Sequence, residues 1–393
     1  MARARVVVQV DTYVDQIWEN DMNFRRFAGA LIPCLLMSLT ASAQQPPPTP
    51  AGGAPTAPEP VKENDKVPMT GTLIVLNKAE ATASFINLAT AEEIAKIPTG
   101  DGPHEVAVSP DGATAVVANY GGQQAPGNSL TVIDIASKSI TKTIDLGEFR
   151  RPHGILFLAD GRRVVVTAEG SKALLVVDIE LAEVVGSLDT DAEISHMVAV
   201  TPDGSRAFVA NIGSGSMTAF DLEAPARLAT VETAPGAEGI DVSPDGREVW
   251  VANRAADMIS IIDAETLAVI DTLESPSFPI RVKFTPDGAR VLVSNARTGD
   301  VAVFDAANRT LIKRIDMDEE PVDDPAGRLF AGTFEGSPVP VGILVHPSGD
   351  YAFIANTQAD IVTVIDLDQL AIVGRIKAGR EPDGLGYSAL EVK

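Results

Sequence analysis

From residue 72 onward, apolar and polar positions alternate with a period of two in short runs, and one polar tetrapeptide punctuates them. It reads Ser109-Pro110-Asp111-Gly112, Leu158-Ala159-Asp160-Gly161, Thr201-Pro202-Asp203-Gly204, Ser243-Pro244-Asp245-Gly246, Thr285-Pro286-Asp287-Gly288 and His346-Pro347-Ser348-Gly349. The copies start 49, 43, 42, 42 and 61 residues apart. An alternation of period two puts apolar side chains on one face of an extended strand. Proline fixes φ, and Asp-Gly tolerates the positive φ of a tight hairpin. Each tetrapeptide is therefore a turn. After it comes a strand such as AVVAN, AFVAN or YAFIAN, then one ending in Asp (LTVID, ISIID, VTVID), then an outer strand.

A four-stranded unit of this kind cannot bury both faces alone. Radial stacking buries them, and closing the ring removes exposed edges. Residues 72–97 supply three strands with no preceding turn. Glu381-Pro382-Asp383-Gly384-Leu385-Gly386-Tyr387-Ser388 begins a repeat and stops. The expected fold is all-β, a seven-bladed β-propeller of four-stranded antiparallel blades. Its C-terminal strand joins the N-terminal blade, and the propeller spans 72–393.

The pattern P-H-G-x-x-x-x-P-D-G…V-A-N…V-x-V-I-D resembles the YVTN-repeat, or YncE-like, propellers over about residues 72–393. The resemblance implies an extracytoplasmic seven-bladed ring. It leaves the chemistry open, since such rings include lactonases, lyases, redox-subunit propellers, surface-layer domains and binding proteins.

By analogy with propellers, ligands meet the mouth where the innermost strands begin. Five residues before each turn motif stand His104, His153, His196, Glu238, Ile280 and Val341, with Asp383 from the closing strand. Three of the four histidines share this register. The fourth, His346, lies at the opposite end of its strand. Three imidazoles from neighbouring blades suit a divalent metal such as zinc or copper, with Glu238 or Asp383 as fourth ligand or base. Arg281 suits an anionic substrate. Repeat duplication is the competing explanation, because repeats copy positions wholesale.

The recurring Asn77, Asn119, Asn211, Asn253, Asn295 and Asn356, and the Asp134, Asp178, Asp221, Asp263, Asp305 and Asp366 series, read as turn-stabilising. Glu169 reads as the one replacement of Asn and a candidate base beside Glu238. Two insertions, Gly121–Ser129 and Asp316–Pro340, are placed at the same mouth. The second carries Asp316, Asp318, Glu319, Glu320, Asp323 and Asp324, and Phe330 and Phe334, which either cover a ligand or pin the loop.

Residues 22–43 carry Arg25 and Arg26, an apolar stretch over 28–40, and Ala41-Ser42-Ala43. They read as a secretory signal peptide, which places the protein in the periplasm or outside the cell. The alternative is a non-secreted chain with a buried apolar helix. Residues 1–21 fit no targeting element and read as an upstream start, with Met22 the initiator. Residues 44–71 are a Pro/Ala-rich linker. Cys34 is the only cysteine and lies within the signal, so the mature chain has no disulfide or thiolate ligand.

The 31 Lys and Arg against 54 Asp and Glu give a net charge of −23, which argues against nucleic acid as a partner. Three functions follow. One is a monomeric propeller, with no membrane span after signal cleavage, that binds a small molecule or periplasmic protein at the mouth. A second is a metal-assisted lactonase-type hydrolase or lyase using His104, His153 and His196. The third is an accessory propeller of a periplasmic redox system.

Overall fold

The structure is a computed structural model that describes residues 69–122, 125–322 and 327–393. The expected signal peptide and nearly all of the linker lie outside these residues. The described chain forms seven four-stranded antiparallel sheets, the blades of a propeller. The first blade is completed by the chain's last strand. It contains β28 (Pro382–Ser388), β1 (Thr72–Asn77), β2 (Thr82–Asn87) and β3 (Glu92–Pro98), in that order from the inside out. The second blade runs β4 (Pro103–Val108), β5 (Thr114–Gly121), β6 (Pro126–Asp134) and β7 (Ser139–Asp145). The other five repeat this plan. Their inner strands are β8 (Pro152–Phe157), β12 (Ser195–Val200), β16 (Ala237–Val242), β20 (Pro279–Phe284) and β24 (Pro340–Val345).

The turn chemistry is local and repeated. Gly112 takes φ +73° and its N–H donates to Ser109 O at 2.8 Å. The Ser109 hydroxyl donates to Asp111 Oδ1 at 2.6 Å and accepts from Thr114 N at 2.9 Å. Thr201–Asp203, Ser243–Asp245 and Thr285–Asp287 make the same hydroxyl–carboxylate bond. The two recurring series are structural. Asn77, Asn119 and Asn211 donate to hydroxyls on the third strand, and the Asp carboxylates accept turn N–H groups.

The hydrophobic cores lie between blades. Val116, Leu130 and Val132 of the second blade pack with Val164, Val166 and Leu175 of the third. Trp250, Ile259 and Ile261 of the fifth pack with Val282, Val291 and Val293 of the sixth. Each fully buried aliphatic side chain contributes about 1.5–3 kcal/mol, so the cores weld the blades into a ring. The seam between the first and last strands is closed by pairing Thr72 with Ser388, Ile74 with Gly386 and Val75 with Leu385. Beyond it, Thr72 Oγ1 donates to Leu390 O at 2.7 Å, and Val392 enters the core between the first two blades.

The two insertions differ in kind. The Gly121–Ser129 stretch, of which Gln123 and Gln124 lie outside the described residues, stands at the end of the blade where the inner strand begins, with Gly121 N donating to Asp101 O at 2.8 Å. It lengthens the β5–β6 hairpin, with Gly121 opposite Pro126. The Asp316–Pro340 stretch, of which Asp323 and Asp324 lie outside the described residues, folds back onto the ring. Val322 N donates to Gln358 O at 2.9 Å, Leu329 N to Glu381 Oε1 at 2.6 Å, and Ser337 Oγ to Ala296 O at 2.6 Å. Phe330 and Phe334 are both buried, with ring centroids 5.8 Å apart. Glu319 is paired with Arg375 rather than free for a cation.

Candidate functional site

Every inner strand enters the ring through a left-handed corner. The residue before it, Gly102, Arg151, Ile194, Gly236, Phe278, Val339 or Glu381, has φ between +54° and +80°. For β-branched Ile194 and Val339 this is an unfavourable backbone state, costing on the order of 1–3 kcal/mol. Because all seven blades share it, the corner serves the fold. Its carbonyl accepts the N–H of the residue after the one that pairs with the start of the inner strand, as in Tyr120 N to Gly102 O at 3.1 Å and Arg254 N to Gly236 O at 2.9 Å. In at least six inner strands the ladder then skips near the second and third residues, a bulge that releases them from regular pairing.

Two registers thus meet at one mouth. The first is the expected one: His104, His153, His196, Glu238, Ile280, Val341 and Asp383 are the second residues of their strands. The second was not anticipated. It is the position hydrogen-bonded to the corner: Lys78, Tyr120, Glu169, Ile212, Arg254, Ala296 and Thr357. Glu169 belongs here. It does not replace the recurring Asn, because Pro152 pairs with Ala168 as Pro103 pairs with Asn119. Ala168 holds the Asn position.

The histidines form an aromatic wall with Tyr120. Centroids are 4.4 Å apart for His104–Tyr120, 4.9 Å for His104–His153 and 3.7 Å for His153–His196. Their charges differ. Burial pushes His104 down to about 4, with the Lys78 charge adding to it, and its Nδ1 donates to Gly102 O at 2.8 Å. Burial, and then the neighbouring positive charges, hold His153 well below the usual range. Burial opposes the charged form of His196 too, but two carboxylates outweigh it and its pKa is raised. Its Nδ1 lies 2.8 Å from Glu169 Oε2 and its Nε2 3.4 Å from Glu238 Oε1. The Tyr120 hydroxyl donates to the other Glu169 oxygen at 2.6 Å.

Ion pairs tie the far side of the mouth. Arg254 donates to Glu238 Oε2 at 2.6 Å. Arg281 reaches Glu105 at 2.8 Å and Glu238 at 3.4 Å. Burial raises Glu238, yet Arg254, His196 and Arg281 bring it down to about 2. Glu105 is raised by burial despite Arg281. Lys78 pairs with Asp383 at 3.0 Å and, against burial, holds it below the carboxylate range. The insertion borders this side: Lys78 Nζ lies 5.8 Å from the Phe330 centroid, and Phe334 packs 5.0 Å from Phe278.

These partners revise four expected roles. His104, His153 and His196 come together, His104 edge-on to His153 and His153 tilted 34° against His196. Among the described residues, no group of three or more His, Cys, Asp or Glu is placed to hold a metal ion. Both nitrogens of His196 face carboxylates, and one nitrogen of His104 faces a carbonyl, so the donor set does not fit zinc or copper. Arg281 is spent on two carboxylates and is no anion clamp. Glu238, with cations on both oxygens, is a poor base, and Glu169 positions His196 and Tyr120. Two buried atoms in the first register have no hydrogen-bond partner: His153 Nδ1 and Asp383 Oδ1.

The neutral histidines set a pH dependence. His104 binds its proton in the unfolded chain near 6.5 and in the folded chain near 4. Stability is therefore lost as pH falls from 6.5 to 4, by at most about 3 kcal/mol for this group at 1.36 kcal/mol per unit. His153 acts in the same direction. His196 acts oppositely: its raised pKa stabilises fully below 6.5, and that contribution is lost as pH rises through the raised value. Melting temperature is expected to fall between pH 6.5 and 4, and His104→Gln to flatten that slope. A wild-type profile flat over this range would contradict the assignment.

The YNCE-like beta-propeller family model matches residues 162–324. The chain has no match among curated proteins. Kuenenia stuttgartiensis hydrazine synthase is similar at 20% identity and a TM-score of 0.61, covering 72% of this chain and 88% of that one. A functionally unknown protein from Desulfotomaculum acetoxidans is similar at 15% identity and a TM-score of 0.65, covering 81% and 99%. At these identities the likeness is one of fold. Among the described residues, no helix is long and apolar enough to cross a membrane.

Proposed function

We propose that this YncE-like propeller binds a small polar molecule at the histidine-bearing mouth and acts outside the cytoplasm. The observation that carries the binding reading is the pair of buried atoms without partners, His153 Nδ1 and Asp383 Oδ1. Buried polar groups in folded proteins are nearly always satisfied, and each unsatisfied one costs about 1–3 kcal/mol. A ligand that bonds both recovers this cost. The extracytoplasmic reading rests on residues 22–43 alone.

A panel of sugars, polyols, amino acids, hydroxy acids and lactones, followed by thermal shift, tests it. At a hundred times its Kd a ligand adds about 2.7 kcal/mol and raises the melting temperature by several degrees. The shift is expected to fall by about half in His153→Phe and in Asp383→Asn at the same ligand concentration. No shift from any class, or a shift unchanged in both variants, would contradict the proposal.

A second reading, a hydrolase or lyase, has one observation in its favour. Neutral His153 stacks 3.7 Å from His196, the one imidazole held toward its charged form. A base beside an acid is what proton transfer to and from one substrate needs. Turnover of a panel lactone, abolished in His153→Phe, would select this reading over simple binding.

A further inference from the structure

The charges of the mouth already have partners, and Arg151 at the third blade's corner lies over the Tyr120 ring and acts on Glu169. Lys78, Arg254, Arg281 and His196 face Asp383, Glu238, Glu105 and Glu169 in ion pairs of 2.6–3.4 Å. An incoming anion meets a carboxylate beside each of these cations: Asp383 at Lys78, Glu238 at Arg254, Glu105 and Glu238 at Arg281, Glu169 and Glu238 at His196. An incoming cation meets a positive group beside each of these carboxylates. Either would lose its hydration without gaining an unshared counter-charge. A neutral ligand avoids this penalty.

The two unsatisfied atoms narrow the class further. Asp383 is 2% exposed and His153 1% exposed, and they belong to the inner strands on either side of β4, which carries His104. Asp383 Oδ1 is a carboxylate oxygen and only accepts, so the ligand must bring an O–H or N–H. His153 is neutral, so its Nδ1 donates in one tautomer and accepts in the other. A hydroxyl group can serve either. Beside them stand Tyr120 and neutral His104, both only partly buried, with ring centroids 4.4 Å apart. Aromatic faces carry negative charge density and attract the weakly positive C–H groups of a saturated ring. Phe330, beside Lys78, supplies an apolar border.

We infer that the mouth takes a neutral polyhydroxylated molecule, a monosaccharide or polyol. Its hydroxyls bond Asp383 Oδ1 and His153 Nδ1, and its C–H face lies against His104 and Tyr120. This inference rests on the reading of the mouth as a binding site.

Calorimetric titration of the full chain tests it with named probes. These are glucose, galactose, mannose and xylitol as neutral ligands, gluconate as the anion, glucosamine as the cation and glycine as the zwitterion. At least one neutral probe is expected to bind saturably, with gluconate and glucosamine weaker by about tenfold or more. Asp383→Asn and His153→Phe are each expected to weaken the neutral probe by about tenfold. The comparison of probes on the wild type needs neither variant to fold. Equal or tighter binding of a charged probe, still sensitive to the two variants, would overturn the ligand class and leave the mouth as the site. Neutral binding unchanged by both folded variants would overturn the placement. No saturable binding by any probe would overturn the class, and if the wider thermal-shift panel were also silent, the binding reading with it.

Discussion

Replacing Arg281 with methionine is expected to lower the melting temperature by about 10 °C. The guanidinium is 6% exposed and reaches Glu105 at 2.8 Å and Glu238 at 3.4 Å. Breaking a buried pair by removing one partner costs about 3–5 kcal/mol, because the other charge stays buried. In a domain of this size each kcal/mol moves the midpoint by about 2–4 °C. The damage is expected to fall on Glu105 more than on Glu238, which keeps Arg254 and His196. Arg281→Met combined with Glu105→Gln should therefore recover most of the loss. A single-variant midpoint within about 2 °C of wild type, or a double variant no better than the single, would contradict this account of the ion-pair network.

Truncation before Pro382 is expected to have a still larger effect. The last twelve residues supply the inner strand of the first blade. Without them β1 loses its Thr72–Ser388, Ile74–Gly386 and Val75–Leu385 pairing, and the core between the first two blades loses Val392. The first blade is left with three strands and an unpaired β1 edge facing the channel. Domain stability is only about 5–15 kcal/mol in total, so the truncated chain is expected to lose its near-ultraviolet circular dichroism and cooperative melt. A truncated chain that melts cooperatively near the wild-type temperature would show that the seam does not hold the ring.

Much of the ring was legible in the sequence because its turns are locally encoded. Ser109-Pro110-Asp111-Gly112 carries its own φ requirement and hydroxyl–carboxylate bond, so counting turns counted blades. The first register of the mouth followed, since it stands at a fixed distance from each turn. The second register was hidden. Lys78, Tyr120, Glu169, Ile212, Arg254, Ala296 and Thr357 share a backbone bond and no side-chain type. Glu169 was misplaced by one residue because Ala168 removes the Asn that marks the end of the strand elsewhere.

Long-range pairing was not legible at all. Arg281 and Glu105 are 176 residues apart and meet only because the ring closes. The same holds for the chemistry of the histidines. One register of three imidazoles suggests a metal until Glu169 and Glu238, on the blades flanking His196, are seen to face both its nitrogens. What looked like three equal ligands is one imidazole held toward its charged form beside two held neutral.

The central claim is that this mouth is the ligand site, and the four histidines allow a direct test. His104, His153 and His196 are at the mouth, while His346 meets Tyr387 edge-on at the far end of its strand. Side-chain imidazole nitrogens can be followed by NMR while the best ligand from the thermal-shift panel is titrated in. The account predicts that the His153 signals move saturably, with His104 following, and that the His346 signals stay fixed. Binding that leaves all three mouth histidines unmoved, or that moves only His346, would contradict it.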